Sequence, residues 1–411
     1  MKQDPGELNR PLTAAPTRPT ALTRPTASGR MQNVDALRGF ALFGILVVNI
    51  AYFASGYAFF GVADPAHDSA FDNGVRILVT LLFEMKFYLL FSFLFGYSFT
   101  IQTAAAERAG AAFRPRHFRR LTGLFLFGVL NAVLLFYGDI LTTYAVLGLI
   151  LYAMRGVSTR TALITAGALV GWVVLLLTAL KLAGVAEIDE SAAFADGRAS
   201  AEGFSGGFGS VVAERLDMTG GLISTLLMVQ GPMALAMFLI GLAAGRHHLL
   251  ADVSARTRLL RRIQLWGFTV GLAGSLVLAL SGLHDLAGAA IASLTGPLLA
   301  GAYAATLLRY FETARGARLM NALAPAGRMA LTNYLGQQLI CTLLFTGIGA
   351  GLMGDVAPLT VLGIAVTVFL CQLLFSTYWM RHHPYGPAEW ALRAFSYWEL
   401  PRRVRRAGRT A

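Results

Sequence analysis

Apolar stretches of about twenty residues follow one another along nearly the whole chain, and arginines crowd into every second gap between them. Crossing roughly 30 Å of hydrocarbon takes about 20 mostly apolar helical residues, so the pattern predicts an all-α, polytopic membrane protein. Composition agrees. Of 411 residues, 56% are hydrophobic and 14% charged. A soluble domain carries about 25% charged residues, so a soluble fold of this length would lack the polar side chains to cover itself. The net charge of +12 raises the question of nucleic acid. The arginines lie at the ends of apolar segments, where they set topology and meet anionic headgroups, and no basic patch is interleaved with exposed aromatics. Membrane lipids are the expected partners, and nucleic acid is not one.

Ten spans are expected, near 36–60, 74–103, 118–137, 140–155, 159–184, 221–245, 260–282, 286–309, 329–352 and 357–380. Around them the chain divides into a disordered Pro/Thr/Arg tail (1–30), an N-terminal helical half (31–184), an acidic loop (185–220), a C-terminal helical half ending in an interfacial helix (221–395) and a basic tail (396–411). The tail is not a signal peptide, because no apolar run precedes Ala36. The second gap carries Arg108, Arg114, Arg116, Arg119 and Arg120, and the sixth carries Arg246, Arg256, Arg258, Arg261 and Arg262. The first holds Asp64, Asp68 and Asp72, and the long fifth holds mostly acids, with only Arg198 and Arg215 against them. An even number of spans with both termini cytoplasmic satisfies every gap. A multi-pass protein of the plasma (inner) membrane is expected. The GFSGGFG stretch at 203–209 has no GxGxxG and reads as a flexible loop.

Charge inside a span is costly and usually faces the protein interior. The second span, VRILVTLLFEMKFYLLFSFLFGYSF, places Glu84, Tyr88, Ser92 and Gly96 four apart, as one stripe if the helix is continuous. Lys86 would then sit about 200° round from Glu84, and each would need a partner elsewhere. Asp139 follows Gly138 in the turn YGDIL, suited either to capping the next helix or to proton transfer, with Asn131 two turns deeper. Asp35 and Arg38 are three apart and share a face at the start of the first span; Asn49 lies near mid-bilayer. The ninth span opens with GRMALTNYLGQQ, which puts Arg328, Asn333, Gln337 and Gln338 in its first half. His67 reads as a solvated loop residue, and His117 as a headgroup contact in a basic loop. Cys341 and Cys371 read as small hydrophobes, and no His/Cys spacing predicts a metal.

The segments VDALRGFALFGILVVNI, KFYLLFSFLFGYSF, YGDIL, GRMALTNYLGQQ and GPAEWALR occur in order between residue 31 and about 395, and together they resemble the YeiB-like family of bacterial membrane proteins. The C-terminal half of that family is called domain of unknown function 418. The family is similar in helix pattern to the transmembrane acyltransferases, among them the sugar O-acetyltransferases and the heparan-glucosaminide N-acetyltransferase. Those enzymes move an acyl group from cytoplasmic acyl-CoA to an acceptor across the membrane, and their opening helix carries an Asp-x-x-Arg-Gly start, matched here by Asp35, Arg38 and Gly39. Relatives commonly show a histidine where this chain has Asn131, and the sugar acetyltransferases carry another in the outer half of the first helix, absent here.

The resemblance implies an acyltransferase with acyl-CoA as co-substrate, no tightly bound cofactor, and a sugar, lipid or small-molecule acceptor. Glu84 and Asp139 are then the catalytic candidates, since a partly buried carboxylate can serve as a general base. Arg38, Arg119, Arg120 and Arg328 are placed to hold CoA phosphates, and Asn49, Ser92, Asn131 and Asn333 to line a polar path. Asp35, Arg38, Lys86, Tyr88, Ser92, Asn131, Arg328 and Asn333 make up the substrate-binding set. The alternative is a transporter or permease in which Glu84, Lys86 and Asp139 form a proton or substrate site. A non-catalytic sensor using the long loop is the third reading.

Overall fold

The computed structural model describes residues 27–108, 110, 113–184, 189–251 and 253–398. Of the disordered tail expected over 1–30, residues 1–26 lie outside the described residues and 27–30 belong to the first helix, and most of the basic tail also lies outside. All regular elements among those described are helical. In chain order they are α1 (Ala27–Ala54), α2 (Ala70–Leu82), α3 (Lys86–Arg108), α4 (Phe113–Leu134), α5 (Leu141–Ala153), α6 (Thr159–Leu182), α7 (Glu190–Ser205), α8 (Phe208–Thr225), α9 (Gly231–Arg246), α10 (Thr257–Ser281), α11 (Leu286–Phe311), α12 (Ala314–Arg328), α13 (Ala330–Phe345), α14 (Pro358–His382) and α15 (Pro387–Tyr397). Helix starts follow the sequence: Ser69, Ser158, Asp189, Asp285 and Thr313 each accept a backbone N–H from the first turn of the helix they precede.

Among the described residues, seven helical segments are long and apolar enough to cross a membrane: Gln32–Ala54, Ala70–Arg108, Thr159–Leu182, Phe208–Arg246, Ser254–Ser281, Leu286–Phe311 and Pro358–His382. The other three expected spans are helices of a different kind. α4 opens with the charged FRPRHFRR, α5 has 13 residues and α13 has 16. At 1.5 Å per residue α5 is about 20 Å long, short of the bilayer core. Outward faces are aliphatic: Leu175 of α6 is 66% exposed, Leu280 of α10 68% and Leu374 of α14 73%. A water-facing surface of this kind would aggregate, whereas lipid tails solvate it. The chain is thus a multi-pass membrane protein.

The core forms around α1, whose Ala36, Leu37, Ala41, Leu42, Leu46 and Ile50 are fully buried. α1 packs against α3, α12, α13 and α14. Its closest crossing is with α12, where a Cβ on Gly39 would run into the Leu323 carbonyl and one on Gly327 into the Asp35 carbonyl. α3 and α9 cross in the same reciprocal way, Gly96 lying on Phe238 and Gly241 on Phe93. Small residues let backbones approach this closely where hydrophobicity supplies no drive between helices.

Two expectations change here. The second span is not one helix: α2 ends at Leu82, Met85 takes a left-handed φ of 65°, and α3 starts at Lys86. The stripe therefore starts at Tyr88, and Glu84 sits in the break. The acidic loop expected at 185–220 is also helical over most of its described residues, and the 203–209 stretch is not a free loop. The described part of 185–220 forms α7 and the start of α8, with GFSGGFG as the corner between them. Glycine there permits the turn, and packing of Gly197 and Ala201 against Tyr57 and Gly56 holds α7 down.

Loop contacts sort into two ends. At the end where α1 begins, Gln32 bonds Asn321, Arg246 bonds the Val157 carbonyl and Arg116 lies over Tyr397. At the other, Gly354 N–H bonds the Ala54 carbonyl, Gly347 N–H the Phe204 carbonyl, and Lys181 pairs with Asp285. The first is the basic end and the second the acidic end.

Candidate functional site

The break between α2 and α3 leaves the last carbonyls of α2 without helical partners, a costly state away from water. Two side chains satisfy them. Lys86 Nζ donates to the Thr80 carbonyl at 2.8 Å, and the Tyr303 hydroxyl of α11 donates to the Leu82 carbonyl at 2.9 Å. Lys86 is 1% exposed, so its charge is spent inside the protein. The expected search for a distant Lys86 partner ends six residues upstream.

Glu84, in that break, lines a cavity of about 390 Å³ that opens toward the acidic end. Its walls come from α1 (Val47, Val48, Ala51), α10 (Leu278) and α14 (Val361, Leu362), and its mouth carries Asp64, His67, Asn73 and Arg76. The mouth is built from bonded parts. Asp64 accepts from Ser55 Oγ at 3.1 Å and from Ala66 N–H at 3.0 Å. Arg76 donates to Asn73 Oδ1 at 2.6 Å and to the His67 carbonyl. His67, expected as a solvated residue, instead donates from Nε2 to the Gly354 carbonyl at 3.1 Å, which ties the first loop to the 346–357 loop. Glu84 also lies within electrostatic range of Lys86, Tyr52 and Tyr88.

Asp139 is elsewhere. It accepts from Asn131 Nδ2 at 2.9 Å and from both the Thr142 N–H and Oγ1 at 2.8 Å, and it does not line the cavity. This is a helix-start role, with Asn131 fastening the carboxylate to α4. The two catalytic candidates are therefore not brought together.

At the basic end Arg38 donates to Asp35 Oδ1 at 2.8 Å and to Ser98 Oγ. Arg120 donates to Gln102 at 2.6 Å and lies within electrostatic range of Arg38, while Arg328 acts on Asp35 in the same way. Arg38 and Arg328 thus share the Asp35 carboxylate in this corner of α1, α3, α4 and α12, with Arg120 beside Arg38.

Ser92 and Asn333, expected along a polar path, are bonded between helices. The Tyr144 hydroxyl donates to the Tyr88 carbonyl at 3.1 Å and accepts from Ser92 at 2.6 Å. Asn333 donates to the Ala326 carbonyl at 3.0 Å and to Ser376 at 2.9 Å, and Gln337 donates to Gln372 at 2.8 Å. Each bond joins helices, as buried amides and hydroxyls do in membrane bundles. His117 is likewise not a headgroup contact. It is 3% exposed, among Phe99, Phe113, Phe118 and Tyr152.

Three residues escaped the sequence reading. Tyr303 carries no local signal. Arg215 counted as a loop charge but is 1% exposed, donating to the Leu134 carbonyl at 2.6 Å and to Thr342 at 3.1 Å. Glu389 accepts the N–H groups of Leu331 (2.7 Å) and Thr332 (3.1 Å) and the Thr332 hydroxyl (2.5 Å), so GPAEWALR caps the helix begun by GRMALTNY. Burial pushes the Glu389 carboxyl above its usual range, against the pull of those bonds.

The profile of the family described as "Protein of unknown function (DUF418)" matches residues 244–399. Over 387 residues the chain is 30% identical to "Uncharacterized protein YxaH" of Bacillus subtilis (strain 168), covering 90% of this chain and 94% of that protein. It is also 30% identical over 389 residues to "Uncharacterized protein YeiB" of Escherichia coli (strain K12), covering 89% and 95%. On these likenesses the chain belongs to the YeiB-like family whose C-terminal part is the DUF418 domain.

Proposed function

We propose that the protein is a plasma-membrane acyltransferase that takes an acyl group from cytoplasmic acyl-CoA at its basic end and gives it to an acceptor in the cavity at its acidic end. The observation that carries this reading is Glu84, a carboxylate in a helix break on the wall of a cavity of about 390 Å³. Such a group is placed to accept a proton from an acceptor hydroxyl or amine as it attacks the acyl carbonyl. Ten crossings with both termini cytoplasmic complete the picture. The pairing of loop contacts into a basic and an acidic end supports that count, and the positive-inside rule assigns the sides. Arg38, Arg120 and Arg328 would hold CoA phosphates, with Asp35 orienting Arg38. Twelve residues of α3 separate Lys86 from Ser98, about 18 Å at 1.5 Å per residue, which the acyl group must cover between donor and acceptor.

The test is binding of acetyl-CoA and longer acyl-CoAs to detergent-purified protein by calorimetry. Saturable binding weakened by Arg38→Ala is the expected result, with Glu84→Gln keeping binding and losing transfer. A folded preparation that binds no acyl-CoA overturns the reading.

Transport is the second reading, and one observation favours it: interrupted helices whose loose ends are met by side chains are where transporters hold substrates and ions. Under it, gradient-driven uptake into proteoliposomes proceeds without an acyl donor and is lost in Glu84→Gln.

A further inference from the structure

The arginines of α4 and the aromatic residues of α15 meet at the basic end in a way that leaves charge unspent. α15 is fixed from two sides. Leu392 and Phe395 pack over Gly123 of α4, and Glu389 is bonded to the start of α13. This lays its rings under the guanidinium groups. Arg116 lies 4.8 Å from the Tyr397 centroid, Arg393 4.4 Å from the same ring and 4.9 Å from Tyr385, and Arg119 5.5 Å from Trp398. Trp398 ends the helix at a left-handed φ of 55°, an unfavourable conformation for an indole residue.

A cation–π contact uses the flat face of a guanidinium and leaves its in-plane N–H donors free. Arg116, Arg119 and Arg393 make no hydrogen bond or ion pair among the described residues. Their donors therefore point at whatever borders the surface. Trp390 and Trp398, 42% and 70% exposed, flank them as apolar bodies suited to the headgroup boundary.

We propose that this α4–α15 surface binds the phosphate of an anionic phospholipid, whose chains lie along Trp390 and Trp398. A CoA phosphate has the same chemistry. The lipid is favoured because Trp390 and Trp398 rim the arginines as exposed apolar bodies; the surface adjoins the Arg38–Asp35 corner through Arg120, which acts on both Arg38 and Tyr397. The proposal is independent of the transferase reading, because it is tested with no acyl donor present.

Native mass spectrometry of delipidated protein titrated with phosphatidylglycerol or phosphatidylcholine tests it. The expected result is retention of phosphatidylglycerol over phosphatidylcholine, cut by about tenfold in Arg116→Gln/Arg119→Gln/Arg393→Gln. Arg258→Gln/Arg262→Gln, which removes two exposed arginines elsewhere at the basic end, should leave the preference intact. Should the triple variant not fold, single Arg116→Gln, an exposed site, gives the same reading at smaller size. Unchanged preference in the α4–α15 variants overturns the proposal. So does displacement of phosphatidylglycerol from the wild type by soluble CoA, which would give the surface to a nucleotide instead.

Discussion

Cations do opposite work in the two halves of this bundle. Toward the acidic end, Lys86 and Arg215 are buried and each meets a carbonyl at the C-terminal end of a helix, Thr80 of α2 and Leu134 of α4. At the basic end, Arg116, Arg119 and Arg393 lie on aromatic faces with their donors free. Residue type does not separate the two classes; the nearest polar partner does. A cation in reach of an orphan carbonyl is a structural plug, because an unmet carbonyl in a membrane protein costs more than the charge gains elsewhere. Arg116, Arg119 and Arg393, which lie on ring faces and meet no such partner among the described residues, remain available to a ligand.

Substitution sharpens this contrast. The largest effect is expected for Lys86→Met, which strips the Thr80 carbonyl of its donor and Glu84 of its nearest cation. A loss of about 3 kcal/mol in reversible detergent unfolding is expected, partly restored by Glu84→Gln in the same chain. Arg215→Met comes next, at about 2 kcal/mol, with phosphatidylglycerol retention unchanged. If Arg215→Met removed lipid binding as well, the division between plugs and free cations would fail. Glu389→Gln should cost about 1 kcal/mol through weaker capping of α13. Its pH signature has a defined sign. Burial raises this carboxyl in the folded state, so the folded protein holds the proton to higher pH than the unfolded chain. Wild-type stability should therefore drop as pH rises from the unfolded value near about 4.3 through the folded value, and Glu389→Gln should flatten that slope. The smallest effect belongs to the exposed Lys181–Asp285 pair: Lys181→Met should change stability by less than about 1 kcal/mol and fade further in high salt.

Much of the frame was legible before any coordinates, because length and apolarity are set by the bilayer rather than by tertiary detail. Seven of the ten expected spans fall on segments long and apolar enough to cross, the second of them broken in two, and the other three fall on shorter or more charged helices. The break at Glu84 was not legible, since VRILVTLLFEMKFYLL has no proline or glycine to end a helix. It is held by Tyr303, far away in the chain, and by Lys86, whose reach back to Thr80 has no sequence signature. Glu84 was singled out for being a charge in lipid, and the cavity beside it gives that suspicion a place. Asp139 stands in the turn after Gly138, open to a cap or a proton-transfer role, and its bonds to Thr142 and Asn131 favour the cap. The basic stretch around His117 suggests a headgroup contact, whereas the first turns of α4 carry that ring inward.

The Tyr303 bond to Leu82 spans 221 residues of chain. Ribosomes extend a chain at about 5–20 residues per second, so the interrupted second span leaves the ribosome on the order of ten to forty seconds before the side chain that completes it. During that interval the Leu82 carbonyl depends on water or on assembly factors. The first half of this protein is thus committed to the membrane unfinished, and premature termination before α11 would leave a fragment with an open wound in its backbone that quality-control proteases are well placed to find.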